Sequence, residues 1–569
     1  METKKLRITG AQLSFTVGAI QENKSKILNT LEEAEKINSD IVVFPELCVT
    51  GYPPPEDLLL RESFVGKNFA VLEEIAEFSG RTSGVIGFVD RSLEEQTMDN
   101  VDRNITNAAA IVQNGDVKGI YHKCYLPNYS VFDEARYFAK GTKPEEIFWY
   151  EDIAVGINIC EDVWINNGPA EEQVKKGASL IININASPFD INKTESRKVN
   201  VRDKAKKLKV PILYLNMVGG QDELVFDGGS FLVDADGNII YEAEQFSEEI
   251  FSFDLELEIK NVKSENKLIV NEKKSDLPPL KTSDSLSELE SMYAALKMGL
   301  SDYVEKNNFK KVLVGLSGGI DSALTATIAV DALTSDNVIG VAMPSKFNPK
   351  SSLDDAKELA DNLNIELKTI NIEETAEKFR NLLKDNLDDD LKSVVDENIQ
   401  SRIRGNILMG LSNQLGAMVV STGNKSEMAV GYSTLYGDLV GGFALLKDVY
   451  KTEVYKLSDY RNSISKVIPQ NIIEKKPSAE LSEDQYDSDS LPEYDLLDKI
   501  LKMYIELDYS SEKIINSDID KEVVFDILEK IDRNEYKRKQ VAPGVKLTSR
   551  AFGKDRRMPI TNTYIRDRS

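Results

Sequence analysis

The sequence is constrained most by an alternation that occurs twice. From residue 5 to about 257, short Val- and Ile-rich runs alternate with amphipathic stretches: LRITGAQL, IVVFPEL, SGVIGFVD, AVGINICEDVW, SLIININAS, PILYLNMVGG and GSFLVDADGNIIYEAE are separated by segments such as KSKILNTLEEAEKI. The runs have strand length and many end in Gly, Asn or Asp, so they read as strands. The spacers read as helices, making this half α/β. DADGN at 234–238 predicts a hairpin turn. A second alternation begins near residue 310 with KKVLVGLS, VIGVAMPS, ELKTINI and AMVVSTGN as strands and ENIQSRIRGNILMGLSNQLG as a helix. Regular strand and helix alternation of this kind predicts a doubly wound parallel sheet.

Between them lies IKNVKSENKLIVNEKKSDLPPLKTSD, charged and carrying Pro278 and Pro279. Its composition is that of an extended linker. The expected organisation is a first domain over 1–257, a linker over 258–284 and a second domain over 285–569, which opens on a helix capped by Ser285 or Ser287.

Charge and composition narrow the chemistry. With 70 Lys and Arg against 95 Asp and Glu, the net charge is −25. The resulting field repels polyanions, so neither nucleic acid nor an anionic membrane is an expected partner. No apolar run approaches the roughly 20 residues that cross a bilayer, and METKKLRITGAQLSF lacks a signal-peptide pattern, so the expected setting is cytoplasmic. Cys48, Cys124 and Cys160 are too scattered for a disulfide framework or a zinc site. The single histidine, His122, argues against catalytic devices that need imidazole.

Two constellations carry chemistry. Gly315, Leu316, Ser317, Gly318, Gly319, Ile320, Asp321, Ser322 and Ala323 join a strand to a helix. Paired glycines bring backbone N–H groups close to an anion at a helix N-terminus, which suits a nucleotide phosphate. The loop has neither the Lys of a Walker A motif nor the spacing GxGxxG. Asp321 fits an anion cradle if it helps hold Mg²⁺. In the first half Glu46, Lys123 and Cys160 stand at the ends of apolar runs. A thiol becomes a nucleophile once a base takes its proton; a carboxylate can do that, and an ammonium can stabilise the oxyanion formed at an amide carbonyl. Taken singly, each residue has a plain structural reading: a buried thiol, an ion-paired Glu, a surface Lys.

The loop resembles the SGGxDS motif of the N-type ATP pyrophosphatases, which activate a carboxylate or carbonyl by adenylation. That resemblance leaves GMP, asparagine and NAD synthetases all open. FPEL followed by GY, HKCYLPN and ICED resemble the nitrilase (carbon-nitrogen hydrolase) superfamily, whose fold is an αββα sandwich and whose triad is Glu, Lys and Cys. The two halves together resemble the glutamine-dependent NAD synthetase family. Stretches 421–457, KKPSAEL (475–481), LPEYDLLD (491–498) and 536–562 support that resemblance over nearly the whole chain.

The resemblance implies hydrolysis of glutamine through a thioester on Cys160, with Glu46 as base, Lys123 as oxyanion stabiliser and Tyr129, Ser187 and Lys193 binding glutamine. Glu134 is a candidate for orienting Lys123. It implies adenylation of deamido-NAD by ATP, followed by amination. Loop 315–323 with Thr422, Lys451 and Ser478 would bind ATP, and Asp321 and Glu427 would hold Mg²⁺. Asn398, Arg402, Glu427, Tyr432, Ser433, Thr434, Leu435 and Lys537 would meet deamido-NAD. Leu435 departs from ammonia-dependent relatives, which carry Lys there. A homo-oligomer with an ammonia tunnel is also implied. Two other readings stay open: amidation of a different carboxylate, and a hydrolase whose second domain only senses nucleotide.

Overall fold

The computed structural model describes residues 2–564 except 55, 99–100, 261–266, 273, 275, 388–390 and 484. It divides into two compact units, 1–221 with 225–286, and 222–224 with 287–569.

The first unit contains two main sheets. One has six strands in the order Glu249–Glu258, Thr3–Gln12, Ile41–Val43, Ser83–Met98, Val101–Gln113 and Asp116–His122. The other has seven, in the order Ile239–Glu242, Phe231–Val233, Ile212–Asn216, Leu180–Asn185, Ile153–Ile159, Ile147–Tyr150 and Lys267–Leu268. Ile8, Val43, Val85 and Ile111 of the first sheet share one core with Ile157, Ile182 and Leu213 of the second. Helices Ile20–Lys36 and Glu62–Phe78 lie against the six-stranded sheet, and Pro169–Lys176 and Lys193–Leu208 against the seven-stranded one. The result is an αββα sandwich. Ile153–Ile159 and Leu180–Asn185 are buried throughout because each is covered on both faces, which is why these strands read as unbroken apolar runs. The hairpin expected at 234–238 joins Phe231–Val233 to Ile239–Glu242, with the Asp234 carboxylate accepting from the backbone N–H groups of Asp236 and Asn238.

The described part of 258–284 runs extended along this same unit. Lys267–Leu268 adds a parallel strand beside Ile147–Tyr150, and Leu268 and Val270 are buried. The Asn271 N–H donates to Asp40 Oδ1 at 2.7 Å, and Lys274 pairs with Asp40 at 2.8 Å. Two apolar residues inside a polar stretch supply the anchor that its composition conceals.

The second unit is built on a five-stranded, wholly parallel sheet: Glu366–Thr369, Val338–Ala342, Lys311–Gly315, Ala417–Ser421 and Phe443–Ala444. Strand order reverses between Lys311–Gly315 and Ala417–Ser421, so the loops leaving these two strands open a crevice at their carboxyl ends. Helix Glu288–Lys306 enters the unit through a reciprocal cap: the Ser287 side chain accepts from Glu290 N–H, and Glu290 Oε2 accepts from Ser287 N–H at 2.8 Å. Among the described residues no helix is long and apolar enough to cross a membrane.

Candidate functional sites

Three strand ends of the first unit converge on one buried point. Glu46 follows Ile41–Val43, Lys123 follows Asp116–His122, and Cys160 follows Ile153–Ile159. The Glu46 loop lies directly on the neighbouring strand at Gly87, where a Cβ would stand 2.4 Å from Pro45 O. Cys160 has φ +43°, a left-handed conformation that costs energy in a non-glycine residue and marks a sharp turn into Cys160–Val163. Asp162 pins that turn: its carboxylate accepts from the N–H of Ile159 and Tyr125 and from the Tyr121 hydroxyl. Burial pushes Asp162 up to about 7.

Lys123 is 0% exposed. Its Nζ donates to Glu46 Oε1 at 2.6 Å and to both oxygens of Glu134, at 2.8 and 2.9 Å. Burial alone would lower this ammonium, but Glu134 and Glu46 outweigh it and hold Lys123 well above its ordinary value. The Glu134 carboxyl is pushed up to about 7, chiefly by burial and further by Glu46, against the pull of Lys123. Cys160 is 3% exposed, and burial followed by the Glu46 charge raises its thiol well above the ordinary value, with Lys123 opposing. The resting sulfur is therefore a thiol close to a carboxylate and an ammonium.

Of the residues assigned to glutamine, Tyr129 is 55% exposed and its hydroxyl donates to Glu161 Oε2 at 2.9 Å. Ser187 is buried, its N–H donating to Asn216 Oδ1 at 2.9 Å. Lys193 places its Nζ 5.3 Å from the centre of the Phe132 ring, which packs edge-on against Tyr129. The other candidates for chemistry have separate partners. His122 meets Asp90 at 2.7 Å, Cys48 donates to Gly87 O, and Cys124 contacts Tyr121 and the His122 carbonyl.

In the second unit a cavity of about 490 Å³ opens at the crevice. Its walls include Gly315, Leu316, Ser317, Gly319, Ile320, Asp321 and Ser322 of the loop, together with Asn398, Thr422, Glu427, Tyr432, Ser433, Thr434, Lys451, Ser478 and Lys537. Gly318, Ala323, Arg402 and Leu435 are not among its lining. Gly318 shapes the loop instead: φ is +79° and a Cβ would meet Ser352 O at 2.3 Å. Ser322 Oγ donates to Gly319 O at 2.9 Å, holding the turn at the start of helix Ile320–Leu333, whose N-terminus lacks a side-chain cap. That leaves backbone donors for an anion.

Asp321 and Glu427 are brought together across this cavity by one ammonium, with Lys451 Nζ 2.5 Å from Asp321 Oδ2 and 3.1 Å from Glu427 Oε1. Asn424, the cap of helix Lys425–Val430, donates to Asp321 Oδ1 at 2.8 Å. Burial, reinforced by Asp321 and Asp487 and opposed by Lys451, pushes Glu427 up to about 8. Lys537 donates to the carbonyls of Gly431 and Ser433 at 2.7 and 2.8 Å, and Asn398 accepts from Thr434 Oγ1 at 2.7 Å. These bonds fix segment 431–434 against the wall. Arg402 is exposed and, among the described residues, donates to Leu435 O at 3.2 Å. Among the described residues the arginine that lines the cavity is Arg404, which sequence reasoning missed; it donates to Met343 O and Asn348 Oδ1 at 3.1 Å each, and burial lowers it to about 10. Asn107 was missed too, and it donates to Glu46 Oε1 at 2.7 Å.

Residues 7–259 match the carbon-nitrogen hydrolase family and residues 292–541 the NAD synthase family. The glutamine-dependent NAD(+) synthetase of Thermotoga maritima is 45% identical over 590 residues, covering 99% of each chain. That of Acinetobacter baylyi is 42% identical, again over 99% of each. Among solved structures, glutamine-dependent NAD+ synthetase from Acinetobacter baumannii, in complex with ADP, superposes with a TM-score of 0.75 at 39% identity over 98% of each chain. The enzyme from Cytophaga hutchinsonii gives a TM-score of 0.79 at 20% identity, a likeness of fold.

Proposed function

Since the chain belongs to the glutamine-dependent NAD(+) synthetase family, we propose that the reaction is divided between the two sites described above. The overall activity is ATP-dependent amidation of deamido-NAD to NAD with ammonia taken from glutamine. The observation that carries the first assignment is the Lys123 ammonium clamped between Glu46 and Glu134 beside the Cys160 thiol. Glu46 takes the Sγ proton as sulfur bonds to the carboxamide carbon of glutamine, and Lys123 stabilises the resulting oxyanion. The C–N bond then breaks, the nitrogen leaves as ammonia with the proton held by Glu46, and water releases glutamate from the thioester. Tyr129, Ser187 and Lys193 are the proposed glutamine contacts.

In the second unit, loop 315–323 with Thr422, Lys451 and Ser478 is the proposed ATP site. A carboxylate of deamido-NAD, held by Asn398, Glu427, Lys537 and segment 432–434, attacks the α-phosphorus and pyrophosphate leaves. Ammonia then attacks the acyl carbon and AMP leaves. Arg402 and Leu435 belong to this proposal through Arg402's contact with Leu435 O at the base of that segment. Among the described residues no group of three or more metal-ligating side chains forms. Asp321 and Glu427 nevertheless suit Mg²⁺, which binds one or two carboxylates together with substrate phosphates. When bound, the cation supplies positive charge to the departing pyrophosphate.

The same reading takes 1–257 as the glutaminase domain and 285–569 as the synthetase domain, in a cytoplasmic homo-oligomer. Its three free cysteines suit a reducing compartment, and sedimentation measures the assembly.

The test is NAD formation from deamido-NAD, ATP and Mg²⁺ with glutamine or with ammonium. Cys160→Ala is expected to lose only glutamine-supported synthesis, and Asp321→Ala to lose both. Equal loss with both donors in folded Cys160→Ala, or no NAD from either donor in the wild type, overturns the assignment.

A further inference from the structure

The oxygens of Glu46 are unequally engaged. Oε1 receives Lys123 Nζ at 2.6 Å and Asn107 Nδ2 at 2.7 Å, which fills both of its acceptor positions. Oε2 receives one donor among the described residues, the N–H of Ala186 at 3.1 Å. Glu46 is fully buried, so its remaining acceptor position is not taken by bulk water.

The orientation of Asn107 follows from the same contact. Turned over, its Oδ1 would stand 2.7 Å from a carboxylate oxygen with no proton between them. The amide therefore donates to Glu46, even though this leaves Oδ1 buried and unpartnered among the described residues. A side chain that forgoes one hydrogen bond in order to make another shows which bond dominates. Asn107 also ties the second catalytic residue, since its carbonyl accepts the backbone N–H of Lys123 at 2.9 Å. It sits in the middle of a ladder, opposite Val89, so its side chain is aimed by the sheet rather than by a loop.

We propose that Asn107 is a positioning residue of the glutaminase site: by saturating Glu46 Oε1 together with Lys123, it leaves Oε2 as the oxygen that accepts the Cys160 proton. Oε2 takes the Sγ proton as the S–C bond forms and returns it to the amide nitrogen as the C–N bond breaks, so one oxygen serves both transfers. Without the Asn107 donor, Oε1 regains a vacant acceptor position and the carboxylate turns between two orientations, only one of which meets sulfur.

This inference rests on Glu46 being the base, and the two are tested separately. Asn107→Leu removes the donor at similar size, and Asn107→Ser keeps a small polar group too short to span the contact. Glutamate release is measured in both, with ammonium-supported NAD synthesis and the thermal midpoint as controls for folding. The expected result is a fall in kcat of about 10- to 100-fold, the equivalent of one charge-assisted hydrogen bond, with the glutamine KM within about threefold. Alkylation of Cys160 by iodoacetamide, followed by mass spectrometry without glutamine, is expected to slow in the same order. Wild-type kcat in either folded variant overturns the proposal. So does a raised KM with unchanged kcat, which makes Asn107 a glutamine contact, or faster alkylation, which marks a merely loosened site. Glu46→Gln is expected to be inactive towards glutamine; if it retains activity, the base assignment itself fails whatever Asn107 does.

Discussion

Replacing Glu134 by Gln separates catalysis from stability in one buried group. The carboxylate accepts two bonds from Lys123 Nζ, at 2.8 and 2.9 Å, and one from the Tyr52 hydroxyl at 2.9 Å. Glutamine keeps one acceptor oxygen and turns the other into a donor facing an ammonium, so at least one charge-assisted bond is lost. Such a bond contributes about 1.5–3 kcal/mol, or roughly 10- to 100-fold in rate if Lys123 is then less well held against the oxyanion. Folding responds differently, because the trio of Glu46, Glu134 and Lys123 carries an excess negative charge out of water. With its folded value raised from 4.5 to about 7, Glu134 holds its proton more tightly in the folded chain than in the unfolded one. Ionising it therefore lowers stability as pH rises through that interval, by about 3 kcal/mol when complete. Glutamine mimics the protonated form and avoids that cost. At pH 8 the variant is thus expected to lose glutaminase activity while its thermal midpoint holds or rises. In the wild type, kcat/KM for glutamine is expected to fall as pH drops through about 7, and that inflection should be absent from Glu134→Gln. Glutamate release against pH, beside thermal unfolding, measures both. A folded variant whose glutaminase rate stays within threefold of wild type would refute the clamp as the source of Lys123's position.

Other substitutions probe the second unit. Lys425 is fully buried against Asp448 at 2.8 Å and Glu506 at 3.0 Å, so Lys425→Met, which takes their shared cation from both carboxylates, is expected to cost about 3 kcal/mol in urea unfolding. Asp498 accepts from Ser426 Oγ at 2.5 Å, Thr452 N–H at 3.0 Å and Thr452 Oγ1 at 2.8 Å, joining the helix starts that carry Glu427 and Lys451. Asp498→Ala should cost about 3 kcal/mol, at about 1 kcal/mol per bond, and slow NAD synthesis with either nitrogen donor, as steady-state rates with glutamine and with ammonium will show. Ser287→Ala removes the cap of Glu288–Lys306 and should lower stability by about 1 kcal/mol, read from the same unfolding curves.

What was legible in the sequence was whatever chemistry is local. Strand ends followed by Glu46, Lys123 and Cys160, and a glycine pair between strand and helix, declare themselves within a dozen residues. Asn107 does not, because nothing near it hints that a carboxylate 61 positions earlier will meet its amide; only the sheet order brings them together. Arg404 could not be singled out from the sequence for a geometric reason. Two residues along a helix turn the side chain by about 200°, so one arginine lines the cavity while the other faces outward, and only the packing of Ser393–Leu415 decides which. In stretch 258–284 the surrounding charges hide Leu268 and Val270, which are buried. LPEYDLLD shows no chemistry in isolation, and Asp498 gains its importance from two helices elsewhere in the chain.

The lone imidazole at His122, bonded to Asp90 and one residue before Lys123, gives the molecule a built-in reporter. Proton resonance spectra of the histidine ring will contain one set of signals per chain and need no assignment. Any rearrangement at the strand end that carries Lys123 is thereby observable in the unlabelled, unmodified protein.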